Sequence, residues 1–313
     1  MNAAPSRDAW RADAVLLGIT AFWSTSFVLV KDALGHADPV TFLALRFGVG
    51  ALACTALAWR EGWHLPSVLA GARLAPFLFL GYVLQTAGLA YTTPARSAFL
   101  TGMCVLLVPF VAWGLLRRAL RWGVMAGVGF AAAGMYLMTL AGKDGAAAQG
   151  SWLGDLLTLG CAVSYAFHVV LTDKYAPGAR PGVMVATQVW GVFLFSLPLL
   201  PLVETKLEPT ALLWGVVAYT GVLSTAVAIS LQTWAQARTT AVRAALVFAL
   251  EPVFTAAFAW SLGRERLTAV EWLGGGLIVL GVVVGELTGG ARADATEGTD
   301  AAPAPVLGVQ SPP

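Results

Sequence analysis

Apolar stretches recur along the whole chain, separated by short polar connections such as Gly35–Asp38 and Thr92–Pro94. A helix needs roughly 20 apolar residues to cross a bilayer core, and backbone groups in lipid must find their partners within the chain. Read this way, the pattern predicts ten spans: 13–33, 39–59, 73–91, 95–116, 121–141, 152–174, 182–203, 210–236, 240–262 and 268–288. The short connections set neighbouring spans antiparallel. Residues 1–12 form a short polar lead into a first span that is too long for a signal-peptide core and lacks a small-residue cleavage site. Residues 289–313, rich in Ala, Pro, Thr and Asp without an apolar period, read as a disordered tail.

The pattern is written twice. Residues 92–100 read TTPARSAFL and 239–247 read TTAVRAALV, matching Thr92 with Thr239, Thr93 with Thr240, Arg96 with Arg243 and Ala98 with Ala245. At this spacing of 147, Gln85 also matches Gln232, Arg117 matches Arg264, Gly127 matches Gly274 and Gly134 matches Gly281. At 142, Asp13 matches Asp155, Gly18 matches Gly160 and Pro39 matches Pro181, while Trp23 falls on Tyr165 and Arg46 on Gln188. The chain is thus two copies of a five-helix unit, 13–141 and 152–288. Because five is odd, the second copy enters the membrane upside down. The expected fold is an all-α polytopic membrane protein of ten transmembrane helices built as two inverted five-helix repeats. Such repeats are the usual construction of secondary transporters, with the substrate held near the midplane where they meet.

Composition agrees. The 313 residues are 58% hydrophobic and 12% charged, about half the charged fraction of a soluble protein. With the N-terminus placed in the cytoplasm, inside segments hold 12 Arg and Lys and outside segments six, Arg46 lying within a span. That bias puts both termini inside. The scarcity of Lys, 4 against 15 Arg, suggests a GC-rich bacterial genome and so a bacterial inner (plasma) membrane.

The five-plus-five pattern, with "GLAYTTPARSAFLTG" opening the fourth span and "RAALVFALEPVFTAAFAWSLGRERLT" in the ninth, resembles the drug/metabolite transporter superfamily, EamA type. The resemblance covers about 13–288 and implies a transporter of small metabolites. It also implies a central cavity lined by spans 1, 3, 4, 6, 8 and 9, with spans 5 and 10 peripheral. One departure concerns prolines: Pro109 lies 13 residues after Arg96 and Pro252 nine after Arg243. Break points at unequal depth are therefore expected.

Several residues are candidates for the substrate site. Glu251 sits eight residues after Arg243, ~12 Å along a helix and so near the middle of a ~30 Å apolar slab. A carboxyl there is costly unless protonated, paired or wetted, which makes it a functional candidate. The competing reading is a protonated carboxyl that satisfies backbone groups freed by Pro252. Trp23 and Tyr165, matched at mid-span, can face each other across a cavity and offer π faces and polar tips, or simply pack. His168 can relay protons or merely be hydrogen-bonded. Gln85 and Gln232 are matched amides able to bind substrate or bridge helices. Arg96 and Arg243 open matched spans from opposite faces and can act as gates, or snorkel to headgroups as Arg46 can. The Gly123/Gly127 and Gly281/Gly285 pairs favour close helix packing.

Other classes find less support. Cys54, Cys104 and Cys161 all fall in spans and form neither a disulfide framework nor a zinc pattern. There is no HExxH, GxSxG or Walker A motif, so an enzyme, a metal site and ATP coupling have no visible basis, and no cofactor is expected. No basic block suggests a nucleic-acid partner. The reading is a non-enzymatic secondary transporter of a small amphiphilic metabolite, with amino acids or related compounds first. Its expected direction is export by alternating access, its partners are substrate, bilayer and possible coupling protons, and its oligomeric state is open. A lipid-carrier flippase of the same superfamily is the nearer alternative, and an intramembrane enzyme the more distant one. Single cysteines placed at Asn2 and Ser311 should react only with cytoplasmic reagent, and one at Lys143 only with external reagent. Termini labelled from opposite faces would rule out the inverted repeat.

Overall fold

The computed structural model describes residues 7–140, 151–262 and 268–289. The tail beyond residue 289, Lys143 between the repeats, and Arg264 and Arg266 lie outside the described residues. Among the described residues the chain is helical, apart from turns and one isolated antiparallel bridge between Ala37 and Leu207. The first three spans are α1 (Arg7–Ala33), α2 (Pro39–Glu61) and α3 (Leu65–Ala90); the fourth is α4 (Pro94–Gly102) continued by α5 (Cys104–Leu116), and the fifth is α6 (Trp122–Leu140). The second half begins with α7 (Trp152–Tyr175) and α8 (Pro181–Ser196), the latter ending in a 3₁₀ segment, Leu197–Leu202. The eighth span is α9 (Ala211–Ala218), a π-helical segment Tyr219–Val227 and α10 (Ala228–Gln236). The ninth is α11 (Ala241–Phe248) and α12 (Glu251–Ser261), and the tenth is α13 (Ala269–Gly289).

Eight of these spans are long and apolar enough to cross a membrane; the fifth and tenth carry shorter apolar stretches, Trp122–Leu137 and Ala269–Gly285. We call the side on which α1 begins the near face and the other the far face. Exposed tryptophans mark both: Trp10, Trp59, Trp63 and Trp122 at near-face ends, and Trp152, Trp214, Trp260 and Trp272 at far-face ends. Indole rings favour the headgroup level, where one end is apolar and the other wet.

Two expectations change. The third span begins at Leu65, eight residues before Arg73, with Pro66 in its first turn. Its 26 residues extend ~39 Å, more than the apolar core is thick, so the early turns tolerate an exposed Arg73. The prolines also do not set unequal break points. The fourth span breaks at Met103 (ψ −15°) and the ninth at Ala249 and Leu250 (ψ −16° and −11°). Met103 and Leu250 are 147 apart, so the breaks are matched. Each shows the same tightened turn, Met103 N–H to Leu100 O and Leu250 N–H to Val247 O, at 3.2 and 3.1 Å. Pro109 lies within α5, past the break.

The packing carries the two-fold relation of inverted repeats. The third span packs on the sixth as the eighth does on the first; the second pairs with the seventh, the fourth with the ninth and the fifth with the tenth. Val203–Thr210, eight residues against three in Gly62–His64, takes up the extra length that separates the two repeat spacings. Buried Leu16, Val105, Met135, Val170, Leu246 and Ile278 join six spans in one core, and Leu43, Phe47, Val189 and Ile229 form another.

The fifth and tenth spans meet backbone to backbone. A Cβ added at Gly127 would lie 2.6 Å from Gly281 O, and one at Gly134 would lie 2.4 Å from Gly274 O. These two contacts exchange under the 147-residue match. Neither carbonyl can swing away, because each belongs to a helix. Gly127→Leu should therefore destabilise the protein by about 1–3 kcal/mol through overpacking. Gly129→Leu, where a Cβ meets nothing within 4 Å, should be near neutral in the same unfolding assay in micelles. Equal losses at both positions would refute this packing.

Candidate functional site: a cavity between the repeats

The repeated phrase has a structural job in each half. Thr93 Oγ1 accepts from Arg96 N–H and Thr240 Oγ1 from Arg243 N–H, each at 3.3 Å. The threonines cap matched helices. The two arginines then reach across to the first helix of the other repeat. Arg96 Nε donates to Asp155 Oδ1 at 2.7 Å, and Arg243 Nη2 to Asp13 Oδ2 at 2.8 Å. Asp155 lies in the first turn of α7, where the helix dipole also favours a carboxylate. Neither arginine snorkels away to headgroups: both form ion pairs, on opposite faces.

Between these pairs lies a cavity. The atom-free space, mouth included, is about 830 Å³. All six residues proposed from the sequence for substrate contact, Trp23, Gln85, Tyr165, His168, Gln232 and Glu251, line it. Its walls come from spans 1, 3, 4, 6, 8 and 9, with Arg46 added from the second. Arg96 and Arg243 do not line it.

Side chains from both repeats interlock there. Tyr165 donates its hydroxyl to Gln85 Oε1 at 3.2 Å, and Gln85 Nε2 donates to Thr101 Oγ1 at 3.3 Å. The Tyr165 ring lies against Gly81, where an added Cβ would come within 2.1 Å of it. Tyr82 meets the same ring edge to face at 5.6 Å between centroids. Across the two-fold, Trp23 donates its indole N–H to Ser224 O at 2.9 Å and leans on Phe248 at 5.5 Å. Ser164, next to Tyr165, donates to Phe77 O at 2.7 Å. Phe77 and Ser224 are matched at 147, so both repeats dock their first helix on equivalent carbonyls. The Ser224 carbonyl belongs to the π segment, a wide turn of the kind often found at functional sites.

The polar candidates differ in their freedom. His168 is 3% exposed, and its Nε2 lies 2.8 Å from Gln188 Oε1. Gln232 donates to Gln236 at 2.9 Å, and Gln236 to Val169 O at 3.0 Å. The Glu251 side chain makes no hydrogen bond with another described residue. Its backbone carbonyl, in the first turn of α12, accepts from the Ser24 hydroxyl at 3.1 Å and the Thr255 hydroxyl at 2.9 Å. The carboxyl makes no hydrogen bond to the backbone groups of the break.

Sequence reasoning missed Arg46, taken as able to snorkel. It is 4% exposed and donates to Thr225 Oγ1 at 3.1 Å. Its depth was the available signal: seven residues from Pro39 is about 10 Å of helix, too far for the headgroups. Tyr82, Thr101 and Phe248 carried no comparable mark, since an aromatic or hydroxyl in a span is ordinary. Asp13 and Asp155 were visible as a matched pair but without a partner. Beyond the spans, a hydrogen bond with His36 and the charge of Lys206 hold the Glu208 carboxyl below the usual range on the far face. Among the described residues no three His, Cys, Asp or Glu side chains gather into a metal site.

Comparison with known proteins follows the same architecture. The EamA-like transporter family matches residues 10–140 and 152–285. An uncharacterized transporter of Archaeoglobus fulgidus is 30% identical over 273 residues, covering 87% of this chain and 85% of that one. The biotin transporter of Salmonella typhimurium is 25% identical over 224 residues, covering 68% and 72%. A protein solved by crystallography shares the fold with a TM-score of 0.71 at 21% identity, covering 88% of this chain and 96% of its own.

The two ion pairs differ in exposure: the side chains of Arg243 and Asp13 are 7% and 14% exposed, those of Arg96 and Asp155 23% and 22%. Removing one partner of a buried pair strands a charge and costs about 3 kcal/mol or more, whereas a wetter pair contributes about 1 kcal/mol or less. Arg243→Gln should therefore lower unfolding stability in micelles clearly more than Arg96→Gln. The reverse order would overturn the assignment of the near-face pair as the drier one.

Proposed function

The chain belongs to the EamA-like transporter family, and from that premise we propose that it is a secondary transporter of small amphiphilic metabolites, with amino acids and related compounds first. The observation that carries this reading is one cavity, built by both repeats, with an arginine–aspartate pair between the repeats toward each face. Alternating access needs two closures that open in turn. Arg96 with Asp155 is the far-face gate and Arg243 with Asp13 the near-face gate. Trp23 and Tyr165 offer ring faces to an apolar body, and Gln85, Gln232, His168 and Glu251 offer polar contacts. The similarity to biotin transporters also supports an amphiphilic substrate. Family analogy supports export, and the cavity displays binding groups without a catalytic constellation, which favours transport over an enzyme. The arginine bias supports a bacterial inner membrane with the near face, and both termini, in the cytoplasm.

Glu251 is the preferred proton carrier. Its carboxyl lines the cavity without a hydrogen bond to another described residue, so opening either gate changes its hydration. A group that alternates between dry and wet surroundings can exchange a proton for substrate. His168, held by Gln188, is the second choice. Glu251→Gln keeps the shape but cannot titrate. In proteoliposomes screened with labelled amino acids, it should lose transport driven by a pH gradient while substrate exchange at equal pH survives. Parental pH-gradient dependence in Glu251→Gln would exclude coupling at this residue, and loss of membrane expression would return it to a structural role.

A further inference from the structure

Arg46 is a buried cation whose hydrogen-bond and ring partners among the described residues are all neutral. Its Nε donates to Thr225 at 3.1 Å and its Nη2 to the Tyr82 hydroxyl at 3.4 Å. The guanidinium lies 4.6 Å from the centre of the Tyr82 ring and 5.5 Å from that of Phe47. No carboxylate pairs with it among the described residues, and its Nη1 makes no hydrogen bond with them. Other basic groups are served differently: Arg96, Arg243 and, just past the fourth span, Arg118 each pair with an aspartate, while Lys31 at the far end of α1 donates to the Leu89 and Ala90 carbonyls. A guanidinium stays charged in proteins, and taking an ion out of water without a counter-ion is costly. Hydrogen bonds to hydroxyls and contact with aromatic rings offset part of that cost. They do not supply the missing negative charge.

We propose that Arg46 is the anchor for a substrate carboxylate, so that the cavity prefers amphiphiles bearing a carboxylate to neutral or purely cationic ones. The proposal rests on the reading of this cavity as the transport site. A carboxylate can accept two N–H groups of one guanidinium at once, which fixes orientation as well as adding strength. The aromatic rings of Trp23, Tyr82, Tyr165 and Phe248 then form the wall for the apolar body. Glu251 shares the cavity, and an amino group on the substrate has this carboxyl to meet. The repeat match sharpens the assignment: Gln188, the counterpart of Arg46 in the seventh span, is neutral, engaged by His168 and absent from the cavity lining. The positive charge therefore stands on one wall only, and the substrate has a single preferred orientation.

Three probes that share a phenyl ring and a short chain separate the outcomes: 3-phenylpropionate, 3-phenylpropanamide and phenethylamine. Each would be titrated into the purified full-length protein in nanodiscs, with tryptophan fluorescence and calorimetry as readouts. The acid should bind at least tenfold more tightly than the amide. Arg46→Gln should bring the two within twofold of each other, and Arg46→Lys should retain part of the preference. The comparison in the parent protein needs no variant, so misfolding of Arg46→Gln leaves it intact. Equal binding of acid and amide would overturn the carboxylate anchor while leaving the cavity as a binding site for amphiphiles. Tighter binding of the amine would overturn the anchor and point to Glu251 as the dominant pole. Binding of none of the three would overturn both the anchor and the amphiphile reading of the cavity.

Discussion

Two charge pairs hold the repeats in register. Asp13 lies in the second turn of α1 and Asp155 in the first turn of α7, and each is met by an arginine from the fourth span of the other repeat. In an apolar slab such a charge has few places to go, so each pair fixes which helix ends lie together. The first and ninth spans are thereby joined at the near face, and the sixth and fourth at the far face. The matched breaks at Met103 and Leu250 then fall between them. Cavity, aromatic rings and carboxyl follow from this crossing.

The ten spans were legible because hydropathy is a local property, and the inversion was legible because it follows from counting. The six cavity residues were accessible for a related reason. A polar or aromatic side chain in mid-span is conspicuous, and the repeat spacing said which of them stand opposite one another. Pairings between repeats were not legible. Whether Arg96 reaches an aspartate or a headgroup depends on a neighbour 59 residues away, and no local pattern carries that distance. The break points were misread for a different reason. Pro109 lies inside a helix that continues through it, whereas the turn at Met103 has no proline to announce it.

The two halves agree in backbone and differ in chemistry. Caps, breaks, glycine contacts and docking carbonyls repeat at the matched spacings. The charged groups of the cavity do not: Arg46 stands opposite Gln188 in the match, and Glu251 opposite Cys104. The frame is therefore the same from either face. The asymmetry of the lining means that what the cavity presents is not the same from both sides.

The contact between Gly81 and Tyr165 has a consequence for how such chains can change over generations. With 2.1 Å between a Cβ at 81 and the ring, a side chain at 81 and a tyrosine at 165 exclude each other in this arrangement. Substitution at the glycine first displaces the ring that reaches Gln85; loss of the ring first opens room beside the glycine and is the milder step. A lineage altering its cavity here is therefore expected to pass through a smaller residue at 165 before position 81 is released, giving mutational history a preferred order.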